Sequence, residues 1–247
     1  MTEKRDIIER KTMSIKAILF DLDGTLVSMD NDAFTEVYIK LLAAKAREWG
    51  YEPESMVPAL WKGTKAMITN DRSRTNCEAF WATFDELLQK KASDDEVKFD
   101  TFYTNEFHGA KSVVKENPLA KEAVALAREK AQQVILATNP LFPPCAVETR
   151  LGWVGLQYDA FDLVTNYKNS GACKPNPAYY EEILEKIGVP ASECLRVGND
   201  MDEDVLAAGS LGMQTYLVTD YLINRSDHEL DCNHGTFEEL IDYLKQL

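Results

Sequence analysis

The sequence predicts an α/β fold, a doubly wound parallel sheet with a small helical bundle inserted after its first strand. Three observations predict it. Continuous apolar runs of strand length recur along the chain, amphipathic helical stretches separate them from residue 118 onward, and between the first run and that point the rhythm is helical throughout.

The first run, Ala17-Ile18-Leu19-Phe20, ends in Asp21-Leu22-Asp23-Gly24-Thr25-Leu26. Carboxylates at the carboxyl edge of a parallel strand sit where ligands bind in open α/β sheets, and a strand period of two points both side chains the same way. One can attack while the other moves a proton. Gly24 permits the tight turn, because without a Cβ it tolerates backbone angles closed to other residues. A calcium loop also begins Asp-x-Asp, but it wants a third oxygen ligand at position five, Gly at six and Glu at twelve; here Gly is fourth and position five is Thr25. The charged leader up to Thr12 reads as an extension before this strand, with Met13 as an alternative start.

From about residue 29 to residue 108 long amphipathic helices follow. Phe34, Val37, Tyr38, Leu41 and Leu42 recur at helical spacing, with Asp30, Asn31 and Asp32 as capping candidates and Gly50 as the stop. Phe80, Trp81, Phe84, Leu87 and Leu88 repeat the pattern. Two more helices are expected at 56–68 and 97–107, the latter behind Asp94-Asp95-Glu96, which suits a helix N-terminus. The predicted organisation is a discontinuous sheet domain, 1–28 and 109–247, and a helical domain, 29–108.

Asn117-Pro118, a cap followed by Pro at the first helical position, opens the second half. Strands are expected at 133–137, 161–165, 194–197 and 214–218, and helices near 118–130, 144–151, 177–187 and 202–211. Phe237, Leu240, Ile241 and Leu244 mark a closing helix, and Cys232-Asn233-His234 before it reads as loop.

A formal charge of −14 and a pI of about 4.7 argue against a nucleic-acid or anionic-membrane partner and require local positive charge for any anionic substrate. The five cysteines include no Cys-x-x-Cys pair and are odd in number, which argues against a disulfide framework or zinc ribbon and for a reducing cytoplasm. No run approaches a membrane span, and Met1-Thr2-Glu3-Lys4-Arg5-Asp6 is too charged to open a signal peptide. His108, His228 and His234 show no metal-ligand spacing.

The other strand ends carry chemistry too. After the second strand come Thr138-Asn139-Pro140, a hydroxyl followed by backbone N–H groups able to donate to a phosphate oxygen; an ordinary Asn-Pro turn reads the same way. Lys174, in Gly171-Ala172-Cys173-Lys174-Pro175, can offset crowded carboxylates or bind phosphate, although a solvated loop lysine is commoner. Cys173 beside it suggests oxidation-sensitive activity. The fourth strand ends in Gly198-Asn199-Asp200-Met201-Asp202-Glu203-Asp204, where crowded carboxylates are either solvated, placed at a helix N-terminus, or gathered around a hard cation such as Mg²⁺. Their conjunction decides: each group follows a successive strand, so all converge on one sheet edge.

With that order and spacing the chain resembles the haloacid dehalogenase-like (HAD) hydrolase superfamily, in its capped phosphoglycolate phosphatase and β-phosphoglucomutase-like branch. The four motifs match Asp21-Leu22-Asp23-Gly24-Thr25, Thr138, Lys174 and Gly198-Asn199-Asp200 to Asp204. The resemblance implies a Rossmann-like core with a helical cap and a Mg²⁺-dependent phosphatase acting on a small phosphorylated metabolite. It implies Asp21 as nucleophile, Asp23 as general acid and base, Thr138, Asn139 and Lys174 on the phosphoryl group, and Asp21, the Asp23 carbonyl and Asp200 on the metal. Asp204 would orient the metal shell or Lys174. Many members read Gly-Asp where this chain reads Gly198-Asn199-Asp200, and counting back from Val205 favours Asp200 as the ligand.

Dehalogenation is disfavoured because the family's dehalogenases lack the second aspartate. A phosphosugar mutase shares the motifs, and a catalytically silent binding module of the same fold is the non-enzymatic alternative. Phosphonate hydrolysis would want a cap lysine, for which Lys62 and Lys65 are the candidates. Trp61, Lys62, Lys65, Arg72 and Arg74 are candidates to reach an anionic or aromatic leaving group from the cap, although ordinary helix surface or cap core is the commoner reading of each.

Overall fold

A computed structural model describes residues 14–247, so the charged leader and Met13 lie outside the described residues. The chain enters through β1 (Ala17–Phe20), turns at Gly24, and forms the short strand β2 (Ser28–Met29). Helices α1 (Asn31–Glu48), α2 (Pro53–Ile68), α3 (Asn76–Leu88) and α4 (Glu96–Thr104) follow, then a 3₁₀ stretch, Glu106–Val113. β3 (Val114–Lys115) returns antiparallel to β2. The remainder alternates: α5 (Ala120–Lys130), β4 (Gln133–Leu136), α6 (Pro144–Trp153), β5 (Leu163–Val164), α7 (Pro177–Ile187), β6 (Cys194–Gly198), a π turn (Met201–Leu206) running into α8 (Ala207–Gly209), β7 (Gln214–Val218), β8 (Asn233–Gly235) and α9 (Phe237–Gln246).

The main sheet has six strands in the order β5-β4-β1-β6-β7-β8, all parallel. β1 shows why a parallel sheet with both faces covered reads as a continuous apolar run. Ile18 and Phe20 pack into the core shared with α5 and α9, while Ala17 and Leu19 pack against α7 on the other face. The chain runs outward from β1 through β4 to β5, then crosses back to β6, so the order reverses beside β1. That is the switch point at which open α/β sheets bind ligands.

Several expected elements differ. The predicted strand 161–165 is only Leu163–Val164, because Phe161 N–H closes a 3₁₀ turn onto the Tyr158 carbonyl at 3.3 Å. Asn117 does not cap a helix: α5 starts at Ala120, and the Asn117 amide donates instead to the Leu26 carbonyl at 3.0 Å, tying β3's exit to the turn after Asp23. The predicted helix 202–211 is mainly a π turn. Cys232-Asn233-His234 is not loop, since Asn233–Gly235 forms the edge strand β8 beside β7. Among the predicted helix ends, Asp30 caps α1 through a 2.8 Å bond from Ala33 N–H, and Gly50 follows its last turn at φ +83°. Among the described residues no helix is long and apolar enough to cross a membrane.

Candidate active site

The predicted residues Asp21, Asp23, Thr138, Asn139, Lys174, Asp200 and Asp204 all line one cavity of about 270 Å³, between the carboxyl edge of the sheet and the helices inserted between β2 and β3. The turn that brings the two aspartates there depends on Gly24. It sits at φ +83°, and a Cβ on it would run into the Asn199 amide. Asn199 is occupied otherwise: its Oδ1 accepts from the Thr25 hydroxyl at 3.1 Å, and its Nδ2 donates to the Tyr221 carbonyl at 2.6 Å.

Beneath the cavity lies a buried ion cluster. Lys174 donates to Asp21 Oδ1 at 2.6 Å and to Asp204 Oδ1 at 2.8 Å, and Arg196 from β6 reaches Asp204 at 2.6 Å and Asp21 at 3.4 Å. Asp204 Oδ2 also accepts the backbone N–H groups of Asn199 and Asp200 at 3.0 and 3.1 Å. Gly198 permits this, since a Cβ there would collide with the Asp204 carboxylate. Burial would raise Asp204, but Arg196 and Lys174 outweigh it and hold the carboxyl well below its usual range. Burial raises Asp21 above that range, against the pull of Lys174. Burial and the Arg196 charge push Lys174 down, yet Asp204 and Asp21 hold its amine well above its ordinary value, so it stays charged.

Asp23 is held differently. Its Oδ2 accepts from the Arg150 guanidinium, while its Oδ1 is buried with no hydrogen-bond partner. Desolvation raises its pKa, and Arg150 opposes that shift without cancelling it. Arg150 is fully buried on α6, bonded to the Ala146 carbonyl at 3.2 Å and stacked 4.3 Å above the Phe142 ring. One carboxyl oxygen is thus anchored and the other free, in a group disposed to carry a proton.

Asp200 caps the π turn, with Oδ1 accepting from Asp202 and Glu203 N–H at 2.9 Å, and its Oδ2 pairs with the exposed Arg225 at 2.9 Å. Thr138 is buried at the end of β4, its carbonyl held by Thr165 and Tyr179 hydroxyls at 2.7 and 2.8 Å. Asn139 donates to Glu203 at 3.3 Å, and burial pushes the Glu203 carboxyl up to about 7. Cys173 does not fit an oxidation-sensitive role: it is buried, Asn76 donates to its sulfur at 3.2 Å, and burial raises its thiol to about 12.

Sequence reasoning missed Arg150, Arg196 and Arg225. Arg196 interrupts an otherwise apolar strand, and Arg150 stands four residues after Ala146 on the buried stripe of α6, so a cation where periodicity demands an apolar side chain was the available signal. Arg225 carried no such mark. Of the predicted cap residues, Trp61 lines the cavity, whereas Lys62, Lys65 and Arg74 are not among its lining residues. Arg72 is turned away altogether, paired with Glu185 on α7.

The loop between α2 and α3 is docked onto the loop that carries Lys174. Backbone N–H groups of Arg72, Asn76 and Cys77 donate to the carbonyls of Gly171, Ser170 and Tyr167 at 3.0, 2.8 and 2.7 Å. The fully buried Asn76 side chain also reaches the Pro140 carbonyl at 3.2 Å and accepts from Asn70 at 2.9 Å. Asn76→Ala leaves these partners unsatisfied and is expected to cost roughly 1–3 kcal/mol. Denaturant unfolding checks this, and unchanged stability would show that the latch is not formed.

A profile of haloacid dehalogenase-like hydrolases matches residues 15–212. The chain is 27% identical over 212 residues to a phosphatase of Mycobacterium tuberculosis, covering 83% of this chain and 88% of that one. It is 27% identical over 206 residues to a phosphoglycolate phosphatase of Pectobacterium atrosepticum, covering 83% and 81%. A 2-haloacid dehalogenase from Pseudomonas syringae has the same fold at TM-score 0.59 and 20% identity, over 94% of this chain and 99% of that one.

Proposed function

The chain belongs to the haloacid dehalogenase-like hydrolase family, and from that premise we propose that it hydrolyses a small phosphomonoester through an aspartyl-phosphate on Asp21, with Mg²⁺ as cofactor. The observation that carries this reading is the divided Asp23 carboxyl, anchored by Arg150 on one oxygen and unpartnered on the other, beside the Lys174-bound Asp21. A dehalogenase has no leaving alcohol to protonate and no use for such a group.

In the first displacement Asp21 attacks phosphorus, the bond to the ester oxygen breaks, and Asp23 gives its proton to the departing alkoxide. In the second, Asp23 takes a proton from water, the water oxygen attacks phosphorus, and the bond to Asp21 breaks, returning the carboxylate and inorganic phosphate. Lys174 and Thr138 hold the phosphoryl oxygens, and Asn139 borders them. The inserted helices act as a cap that excludes water.

The donors for Mg²⁺ are hard oxygens: the carboxylates of Asp21 and Asp200 and the Asp23 carbonyl, which accepts no backbone hydrogen bond among the described residues. No cluster of three or more metal-binding side chains occurs among those residues, which suits an ion that takes few protein ligands and completes its shell with water and phosphate. Arg225, well exposed, is able to leave Asp200 to it. Bound there, the ion would neutralise phosphoryl charge.

Phosphate release from p-nitrophenyl phosphate with Mg²⁺, abolished by EDTA, is the expected result; with a hexose phosphate, a phosphoryl group moved to another hydroxyl of the sugar and not released would instead mark a mutase. Asp23→Asn gives a sharper test. p-Nitrophenolate departs without help, so this variant is expected to release a burst of one equivalent and then stall at the phospho-enzyme, while alkyl phosphates lose both steps. Steady turnover of both esters at the wild-type rate would remove Asp23 from the mechanism.

A further inference from the structure

Above the carboxylates the cavity is walled by the inserted helices, and that wall is aromatic and free of positive charge. Phe34, Tyr38, Trp61, Trp81, Phe99 and Tyr103 line it, and no lysine, arginine or histidine of the insert does. The one charged side chain that the insert contributes is Asp100. Among the described residues the two lining cations, Lys174 and Arg225, belong to the sheet side and are paired with aspartates there.

Some polar atoms of this wall are taken. The Tyr38 and Tyr103 hydroxyls bond each other at 2.9 Å, Thr64 donates to the Leu60 carbonyl at 3.0 Å, and Asp100 accepts from the Cys145 thiol at 3.3 Å. Others are not: among the described residues Thr35 Oγ1, both polar atoms of the Asn31 amide, Trp61 Nε1 and the second carboxylate oxygen of Asp100 make no hydrogen bond.

Resting on the phosphomonoesterase reading above, the geometry points to a substrate whose leaving group is neutral and aromatic. A second anion on the leaving group, carboxylate or phosphate, would be desolvated beside Asp100 with no counter-charge. A ring, by contrast, meets ring edges and faces throughout.

Non-hydrolysable ligands test this without turnover. Calorimetric titration of the full chain with Mg²⁺ is expected to show benzylphosphonate binding at least about tenfold tighter than phosphonoacetate, which exchanges the ring for a carboxylate. Equal affinities, the reverse order, or no benzylphosphonate binding would overturn the inference. Thr64→Arg, which adds a cation to the wall, should narrow the gap by strengthening phosphonoacetate. Turnover separates the two readings. Hydrolysis that favours 2-phosphoglycolate over benzyl phosphate keeps the phosphatase and refutes the aromatic leaving group. Selective benzylphosphonate binding with no hydrolysis of either ester keeps the pocket assignment and refutes the phosphatase.

Discussion

Replacing Asp21 with Asn will lower phosphate release by at least about 10⁴-fold, since the amide cannot act as nucleophile and the other carboxylate on Lys174, Asp204, is tied up by Arg196 and two backbone N–H groups. The melting temperature should not fall with it. Asp204 keeps its charge beneath Lys174 and Arg196, whereas burial raises the Asp21 pKa, so the ionised Asp21 carries a folding penalty at neutral pH. A carboxyl with a raised folded pKa binds its proton more tightly in the native state, so its penalty is absent below the ordinary carboxylate pKa and grows as pH rises through the folded value. The neutral amide escapes that penalty. Activity lost with equal or higher stability at neutral pH identifies a chemical role; activity lost only in step with unfolding would sink the nucleophile assignment.

The legible part of this site was what strand ends carry. Asp21, Asp23 and Thr138 follow short apolar runs and Lys174 precedes a Pro-led helix start, and a parallel sheet gathers such ends at one edge whatever the details between them. Asp200 and Asp204 were legible as an acidic run, though their division of labour was not: one caps the π turn, the other folds back onto the strand end that Gly198 leaves open. Arg150 stayed hidden because its partner Asp23 lies 127 residues away; Arg196 has Asp204 only eight residues on, but nothing local says that this carboxylate folds back onto the strand, and local pattern reports only that a buried position holds a cation. The ribbon of β2 and β3 and the edge strand β8 are too short for alternation to register. Helical periodicity located the apolar faces of the insert but could not distinguish rings that pack together, such as Phe102 on Phe107, from rings such as Phe34 that also line the cavity. Both are apolar positions at the same spacing, and only the meeting of insert and sheet separates them.

Asp204→Asn should produce the largest loss of stability of any single change at the sheet edge. The carboxylate accepts from Lys174, Arg196 and two backbone N–H groups, all of them buried, and the amide keeps its shape while giving up the charge that offsets two cations. Removing one member of a buried ion cluster typically costs about 3–5 kcal/mol, and for a chain of this size each kcal/mol lowers the melting temperature by about 2–4 °C. The pH dependence gives the cause. Arg196 and Lys174 hold the folded Asp204 pKa below its unfolded value, so its contribution is fully present above the unfolded carboxylate pKa, near about 4, and is lost as pH falls from there toward the folded value. Wild type and variant should therefore be far apart in denaturant midpoint at neutral pH and converge in acid. A gap that stays constant from neutral to acid pH would mean that the loss comes from packing, and that the charge of Asp204 is not what holds Lys174 in place.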